Sequence, residues 1–302
     1  MKKKQKKKVL IFGAGGMLGK ECKRQLSNSA MWYVIGLSER DIDITNYDSL
    51  FCAIKKIRPD VVINCAALIN IDDCEKDPLR AWMVNAIGPG YIVRALKEAG
   101  RRRTVFVHIS TSDVFGGRKP RWKEKNIPSP VNAYGWSKLY GEKNIEHEAR
   151  GSGIRYYIIR TSWLYSEYRP TFIDLVISAL RKKKQIPLVT DQRSVPTSAR
   201  ELAAEIEKIL LNRNKPGIYH VINHSTGGVS KYQIGTEILR IMNASSHSSG
   251  RRFSRYYLTK SSKKDMFKVA RPASPVLINT KLPQMRDWRS SLGEYIRRHV
   301  KS

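Results

Sequence analysis

A tyrosine and a lysine spaced four residues apart form the pair in this chain best suited to acid–base chemistry. They are Tyr134 and Lys138, in the segment Tyr-Gly-Trp-Ser-Lys, whose helical pattern runs on through Leu139 and Glu142. Side chains four apart on a helix share one face. Because a phenol has an ordinary pKa of about 10, it needs a neighbouring ammonium to stabilise its phenolate near neutral pH. We predict that Tyr134 is the acid–base catalyst and that Lys138 tunes it while hydrogen-bonding a nicotinamide ribose; an exposed helix pair is the alternative.

A glycine-rich turn at residues 13–19 follows the first apolar run, Val9 to Phe12, and opens a helical pattern. Glycine at every third position allows a tight turn, close approach of a pyrophosphate to backbone N–H groups, and close packing of helix on strand. The N-terminus of the helix adds partial positive charge. The alternative is a simple glycine-rich turn. The residues predicted to contact a dinucleotide here are Gly13, Gly16, Met17, Leu18 and Gly19.

The end of the second strand carries both kinds of residue that select a cofactor. An acidic side chain there holds a ribose 2′-hydroxyl, whereas an arginine accepts a 2′-phosphate. Ser38 and Arg40 favour NADPH, while Glu39 keeps NADH open, and a plain surface turn is the alternative. Two further segments are predicted to line the cofactor: the acidic–apolar pair Asp43-Ile44 beside the adenine, and the small residues Cys65, Ala66 and Ala67.

The end of the fourth strand carries Ser110-Thr111-Ser112-Asp113. Ligands of open α/β sheets collect at the carboxyl ends of the strands. Thr111 is therefore predicted to polarise a substrate carbonyl, although hydroxyl residues after a strand are also ordinary turn chemistry.

The elements that must position these residues alternate as strand and helix. The order predicts an α/β fold, a doubly wound, Rossmann-like parallel sheet with helices on both faces. We expect residues 1–165 to form the NAD(P)-binding domain, 198–222 to return to it, and 166–302 to form mainly a small C-terminal substrate lobe. The predicted strands are Val9–Phe12, Trp32–Leu37, Val61–Asn64, Thr104–Ser110 and Tyr156–Arg160.

The composition suits an ordinary globular protein: 302 residues, 41% hydrophobic and 27% charged. No stretch approaches the ~20 apolar residues of a membrane span. The four cysteines show no metal-ligand or C-x-x-C spacing, so we expect reduced thiols and a cytoplasmic location. A requirement for Mg²⁺ is left open, and no acidic or histidine cluster argues for it. The net charge of +30, which includes a lysine-rich N-terminus, is interpreted as solvated basic faces rather than nucleic-acid binding.

These motifs together resemble the extended short-chain dehydrogenases, and those further along the chain resemble the dTDP-4-dehydrorhamnose reductase family. The downstream motifs are Arg160 to Tyr165, Asp191-Gln192, Pro196 to Ala199, Gly217 to His220 and Arg271-Pro272. The resemblance implies reduction, with NADPH, of the 4-keto group of a nucleotide-linked 6-deoxy sugar to give dTDP-rhamnose. It implies that Tyr134 delivers the proton, that Thr111 hydrogen-bonds the carbonyl, and that Trp163 packs against the sugar. A homodimer is left open.

The chain departs from the family pattern after Thr111. Ser112 and Asp113 stand where the reductases carry Asp and Tyr, and we predict that both contact substrate. An acidic residue two positions after the threonine also resembles the sugar-nucleotide 4,6-dehydratases. A dehydratase or epimerase on the same fold, and a non-catalytic NAD(P)-binding regulatory subunit, therefore remain as alternatives.

Overall fold

A parallel sheet of six strands forms the centre of the molecule, with strand order β2-β1-β3-β4-β5-β9. The computed structural model describes residues 5–116, 119–245 and 252–300, so the first four residues of the lysine-rich N-terminus lie outside it. The strands are β1 Lys7–Phe12, β2 Trp32–Leu37, β3 Val61–Asn64, β4 Val105–Thr111, β5 Arg155–Thr161, β6 Leu164–Tyr165, β7 Ile186–Val189, β8 Thr197–Ser198, β9 Gly217–His220 and β10 Leu258–Ser261. The five predicted strands are present to within a residue at each end except β1, which begins two residues earlier, and the predicted fold class is confirmed.

Helices cover both faces of this sheet. They are α1 Met17–Ser27, α2 Tyr47–Ile57, α3 Ile71–Lys76, α4 Pro78–Trp82, α5 Gly88–Glu98, α6 Ala133–Ala149, α7 Phe172–Arg181, α8 Ala199–Leu211, α9 Lys231–Ser245, α10 Lys263–Met266 and α11 Trp288–Val300. A π-helical turn, Met83–Ile87, joins α4 to α5, and 3-10 turns span Ser112–Val114 and Arg255–Tyr257. In the described part of the chain, no helix is long and apolar enough to span a membrane.

The alternation of side chains along β1 shows why its residues from Val9 to Phe12 are all apolar. Val9 and Ile11 share a core with α1 and α8 on one face, whereas Leu10 and Phe12 share the opposite core with α2 and α5. Successive side chains of a strand point to opposite faces, so a sheet covered twice needs apolar residues at every position.

The helices and strands of the C-terminal part of the chain belong either to the large sheet or to a second, smaller lobe. Helix α8 packs on α1, and β9 pairs with β5, so both belong to the large sheet. Helices α7, α9 and α11 instead surround a second core, in which Trp288 is buried, beside the parallel pair β7–β10. This C-terminal lobe sits at the carboxyl edge of the sheet, because its core also includes Val114 and Phe115, which follow β4.

Helix α6 is attached to the sheet by polar contacts. Glu142 accepts hydrogen bonds from Arg160 Nε at 2.9 Å and Nη2 at 2.6 Å, and another from the Ser110 hydroxyl. The Glu142 and Arg160 side chains are each 2% exposed. A bidentate carboxylate–guanidinium pair fixes the orientation of both groups as well as their distance. The pair therefore sets how α6 lies across β4 and β5.

We expect Glu142→Gln to lower the free energy of unfolding by about 3–5 kcal/mol, since it leaves the buried Arg160 charge uncompensated. Glu148→Gln is the matched control, because Glu148 lies in the same helix and its ion pair with Lys97 is partly exposed. That control is expected to lose less than about 1 kcal/mol. Urea unfolding of both variants measures the difference, and equal losses would contradict a dominant role for the buried pair.

Candidate active site

A single cleft of about 1640 Å³ contains all the side chains predicted for catalysis and binding. It runs along the carboxyl edge of the large sheet and is bounded on one side by the C-terminal lobe. The predicted residues that line it are Gly13, Gly16, Met17, Leu18, Gly19, Ser38, Arg40, Asp43, Ile44, Cys65, Ala66, Ala67, Thr111, Ser112, Asp113, Tyr134, Lys138 and Trp163.

Close backbone contacts leave no room for a Cβ atom at Gly13 or Gly19 in the glycine turn. Gly13 has a φ of 72°, and a Cβ there would lie 2.5 Å from the Ala66 nitrogen. A Cβ on Gly19 would overlap the Gly13 carbonyl oxygen. Gly16 precedes α1 and offers no side-chain cap, and the first turn of α1 contains no acidic residue. The N–H groups of this helix N-terminus are thus left to a ligand, and the turn fits the pyrophosphate of a dinucleotide.

Asp41, in the turn after β2, was not predicted as part of the site. Ser38 donates both its backbone N–H, at 2.7 Å, and its hydroxyl, at 2.6 Å, to Asp41. These bonds lower the pKa of Asp41 and keep it negatively charged. Arg40 and Glu39 are exposed beside it. Ser38 can therefore donate to a 2′-phosphate only by leaving Asp41, which makes Arg40 the remaining donor among the predicted pair.

Three residues from two elements form the predicted catalytic group. The Thr111 hydroxyl accepts a hydrogen bond from the Asp113 N–H at 3.1 Å. Thr111 also acts on the Tyr134 phenol and lowers its pKa. Lys138 donates from Nζ to the Ile109 carbonyl at 2.7 Å. The first turn of α6 packs closely on the end of β4, since a Cβ at Gly135 would lie 2.5 Å from the Asp113 carbonyl oxygen. This close packing sets Tyr134 beside Thr111.

The pKa of Tyr134 is raised, which is opposite to the direction expected from a neighbouring ammonium. Burial raises it most and the Asp113 charge raises it further, while the Thr111 hydrogen bond lowers it. Burial also lowers the pKa of Lys138 to about 8. Lys138 directs its hydrogen-bonding toward β4, so its charge does not govern the phenol. Tyr134 is thus a phenol that keeps its proton at neutral pH, as a proton donor requires.

A buried carboxyl and two cations face the other end of the cleft. Burial raises the pKa of Asp113 to about 6, and its hydrogen bond from Ser112, with the charges of Arg271 and Lys231, lowers it in part. Lys231 and Arg271 line the cleft but were not predicted as site residues. Only the Arg271-Pro272 motif signalled one of them, and Lys231 carries no local pattern that marks it.

The two cations are held differently. Lys231 Nζ lies 5.1 to 5.8 Å from the rings of Trp163, Phe172 and Phe267. Trp163 has a left-handed backbone with a φ of 40°, a strained conformation of the kind that concentrates at functional sites. Arg271 donates from Nη2 to Asp72 at 2.8 Å, while its buried Nη1 has no hydrogen-bond partner in the described structure. These groups leave positive charge available to an anionic ligand.

The Asp113 pKa predicts a pH-dependent stability. A carboxyl whose pKa rises from about 3.9 in the unfolded chain to about 6 stabilises the fold below pH 4, and this contribution is lost as the pH rises through 6. Asp113→Asn should therefore unfold like the wild type at pH 4 but be more stable at pH 8, by at most about 3 kcal/mol.

Urea unfolding at the two pH values tests this expectation. Asp41→Asn is the control of opposite sign, since the pKa of Asp41 is lowered and its charge favours the folded state at pH 8. A loss of stability at pH 8 in Asp113→Asn would contradict the raised pKa.

Among the residues that the structure describes, no group of three or more His, Cys, Asp or Glu side chains is arranged to hold a metal ion.

Comparison with known proteins identifies the family. The family model described as the RmlD substrate binding domain matches residues 7–300. The chain is 33% identical over 294 residues to the spore coat polysaccharide biosynthesis protein SpsK of Bacillus subtilis, covering 96% of each chain. It is 34% identical over 219 residues to the dTDP-4-dehydrorhamnose reductase of Aggregatibacter actinomycetemcomitans, covering 70% of this chain and 72% of that protein. The crystal structure of the Bacillus anthracis dTDP-4-dehydrorhamnose reductase with NADP superimposes with a TM-score of 0.85 at 28% identity, over 97% of this chain and 100% of that one. The chain belongs to the RmlD family.

Proposed function

We propose, from this family membership, that the protein uses NADPH to reduce the 4-keto group of a nucleotide-linked 6-deoxy sugar, converting dTDP-4-dehydrorhamnose to dTDP-rhamnose. That the protein is an NAD(P)-dependent sugar-nucleotide reductase follows from the family itself. The observation that carries this proposal is that Thr111, Tyr134 and Lys138 line the same cleft as the glycine turn. Burial there raises the pKa of Tyr134, so the phenol keeps its proton.

The residues proposed to hold the cofactor occupy one end of the cleft. The glycine turn with Met17 and Leu18 would bind the pyrophosphate, and Arg40 with Ser38 the 2′-phosphate. When bound, the cofactor supplies a hydride. Lining the remainder are Asp43, Ile44, Cys65, Ala66 and Ala67. The structure of a relative with NADP supports this choice of cofactor.

The proposed chemistry of the chain is a proton transfer. Thr111 hydrogen-bonds the substrate carbonyl oxygen, and Tyr134 gives its proton to that oxygen as general acid. Lys138 holds the nicotinamide ribose. Because the pKa of Tyr134 is raised, the proton is present on the phenol over the whole neutral range, and it leaves only as the substrate oxygen becomes more basic.

The substrate is proposed to occupy the other end, among Ser112, Asp113 and Trp163. Lys231 and Arg271 suit an anionic diphosphate there, since Arg271 Nη1 has no partner in the described structure. The likeness to a spore coat polysaccharide protein supports a product destined for cell-surface polysaccharide.

A dehydratase or epimerase is the second candidate, and Asp113 is the observation that favours it. A buried carboxyl with a pKa of about 6 can exchange protons near neutral pH. Such an enzyme restores its cofactor in every cycle, whereas a reductase consumes one NADPH per product. A non-catalytic subunit would bind NADPH and consume none. Stoichiometric NADPH consumption therefore separates the reductase from the other two candidates. Conversion of a sugar nucleotide without net consumption of cofactor then separates a dehydratase or epimerase from a non-catalytic subunit.

Tyr134→Phe should reduce turnover by about 10²–10⁴-fold, the usual contribution of a general acid, and leave NADPH binding nearly unchanged. The assay is the fall in NADPH absorbance with freshly generated dTDP-4-keto-6-deoxy sugar. Tyr140→Phe is the matched control, because Tyr140 lies on the same helix and is 39% exposed. Near-normal turnover in Tyr134→Phe would contradict the role of Tyr134 as the general acid.

Arg40→Ala should weaken NADPH binding more than NADH binding, because Arg40 is the predicted donor to the 2′-phosphate. Dissociation constants of both cofactors, measured by fluorescence titration, give the comparison. Arg102→Ala serves as the control, since Arg102 is exposed and does not line the cleft. Equal effects on the two cofactors would remove Arg40 from this role.

A further inference from the structure

A buried histidine lies directly behind Lys138 and has no role in the proposed mechanism. His108 is fully buried in β4, next to Asn64 in the register of β3 and β4. Its Nε2 lies 3.1 Å from Lys138 Nζ, and its Nδ1 lies 3.2 Å from Asn64 Nδ2. The three side chains form one continuous polar chain from the sheet to the cleft, and each is at most 1% exposed.

The partners on either side of the imidazole have defined roles. Asn64 Oδ1 accepts the Ala66 N–H at 3.1 Å, so the amide cannot rotate by half a turn without facing one donor with another. Asn64 therefore presents its NH₂ donor to His108 Nδ1. Lys138 Nζ already donates to the Ile109 carbonyl at 2.7 Å.

These donors exceed what a neutral imidazole accepts. Burial and the nearby Lys138 charge hold the pKa of His108 well below its ordinary value, so the ring is neutral. A neutral imidazole has one N–H donor and one lone pair. If Lys138 is an ammonium, both neighbours are donors and one of the two contacts is donor against donor. If Lys138 is a neutral amine, Nδ1 accepts from Asn64, Nε2–H donates to Nζ, and every contact is satisfied.

We propose that His108 is a positioning residue whose tautomer is coupled to the protonation of Lys138. The imidazole carries its hydrogen on Nε2 when Lys138 is an amine. When Lys138 is an ammonium, the hydrogen is on Nδ1, which then no longer accepts from Asn64. The coupling favours the amine, because only that state satisfies all three buried groups. The inference deepens the role given to Lys138 in the proposed function and does not depend on the identity of the sugar.

Other titratable groups act on Lys138 in the opposite direction. Glu142 on the same helix, Cys65 after β3 and Cys74 in α3 all favour the ammonium, and burial opposes them. Glu142 is already paired with Arg160. Burial lowers the pKa of Lys138 to about 8. His108 is the side chain that contacts Nζ, and by the donor count above it resists protonation of the amine.

The tautomer is measured directly by nitrogen NMR of the full-length protein with ¹⁵N-labelled histidine. The chain has six histidines, and the His108 signals are assigned by their disappearance in His108→Gln. We expect Nε2–H at alkaline pH and a change to Nδ1–H, without protonation of the ring, as the pH falls through the titration of Lys138. Lys138→Met should remain Nε2–H at every pH, since Asn64 still donates to Nδ1.

A tautomer that does not change with pH in the wild type, or a ring that protonates like an ordinary imidazole, overturns the proposal. The second readout is the pH profile of kcat in His108→Gln, whose amide oxygen accepts from the ammonium without the constraint on Nδ1. We assign the alkaline limb of this profile to loss of the Lys138 proton, because the ammonium is the stronger donor to the ribose. The limb should move up by about one pH unit, and an unmoved limb would refute the coupling to Lys138. Absence of turnover in the wild type would instead count against the proposed function and leave the NMR result to decide this inference.

Discussion

The buried ion pair between Glu142 and Arg160 is the constraint on which the rest of the site depends. Helix α6 brings Tyr134 and Lys138 to the sheet. Ile145 and Ala149 pack its later turns into the apolar core, whereas Lys138 and Glu142 meet β4 through polar contacts. The bidentate bonds from β5, with the Ser110 hydroxyl from β4, hold the helix in one orientation. One turn earlier on that helix is Lys138, and another turn earlier is Tyr134. A buried charge pair is a costly way to dock a helix, but it specifies geometry where apolar contacts would allow several.

The electrostatics of the cleft divide into a proton-donating region and an anion-attracting region. Near Thr111, burial and the Asp113 carboxyl keep the proton on Tyr134. Beyond Asp113, Lys231 and Arg271 supply positive charge from the C-terminal lobe. Asp113 belongs to both regions. Its charge raises the pKa of Tyr134, and the two cations in turn stabilise the ionised Asp113 carboxylate. Its carboxyl therefore adds a titratable charge at the centre of the cleft.

Lys138 connects the cleft to the interior of the sheet. Its ammonium was expected to act on the phenol of Tyr134, but its contacts are with His108 and the Ile109 carbonyl. The lysine is therefore in contact with the buried Asn64–His108 pair, which does not reach the surface. This arrangement assigns the tuning of Tyr134 to burial and Asp113. Lys138 keeps its proposed roles in holding the ribose and in proton exchange.

The sequence by itself determined the parallel sheet, the glycine turn and the choice of Thr111, Tyr134 and Lys138 as candidate catalytic residues. Each depends on local spacing: apolar runs, glycine at every third position, and a pair four apart on a helix. It did not determine the pKa of Tyr134, the Asp41 contact with Ser38, or the places of Lys231, Arg271 and His108. Those depend on residues that are far apart in the chain, such as Lys231 beside Trp163 and Arg271 beside Asp72. Burial and the distance between charges decide such properties. Both are set only when the C-terminal lobe and α6 pack against the carboxyl edge of the sheet.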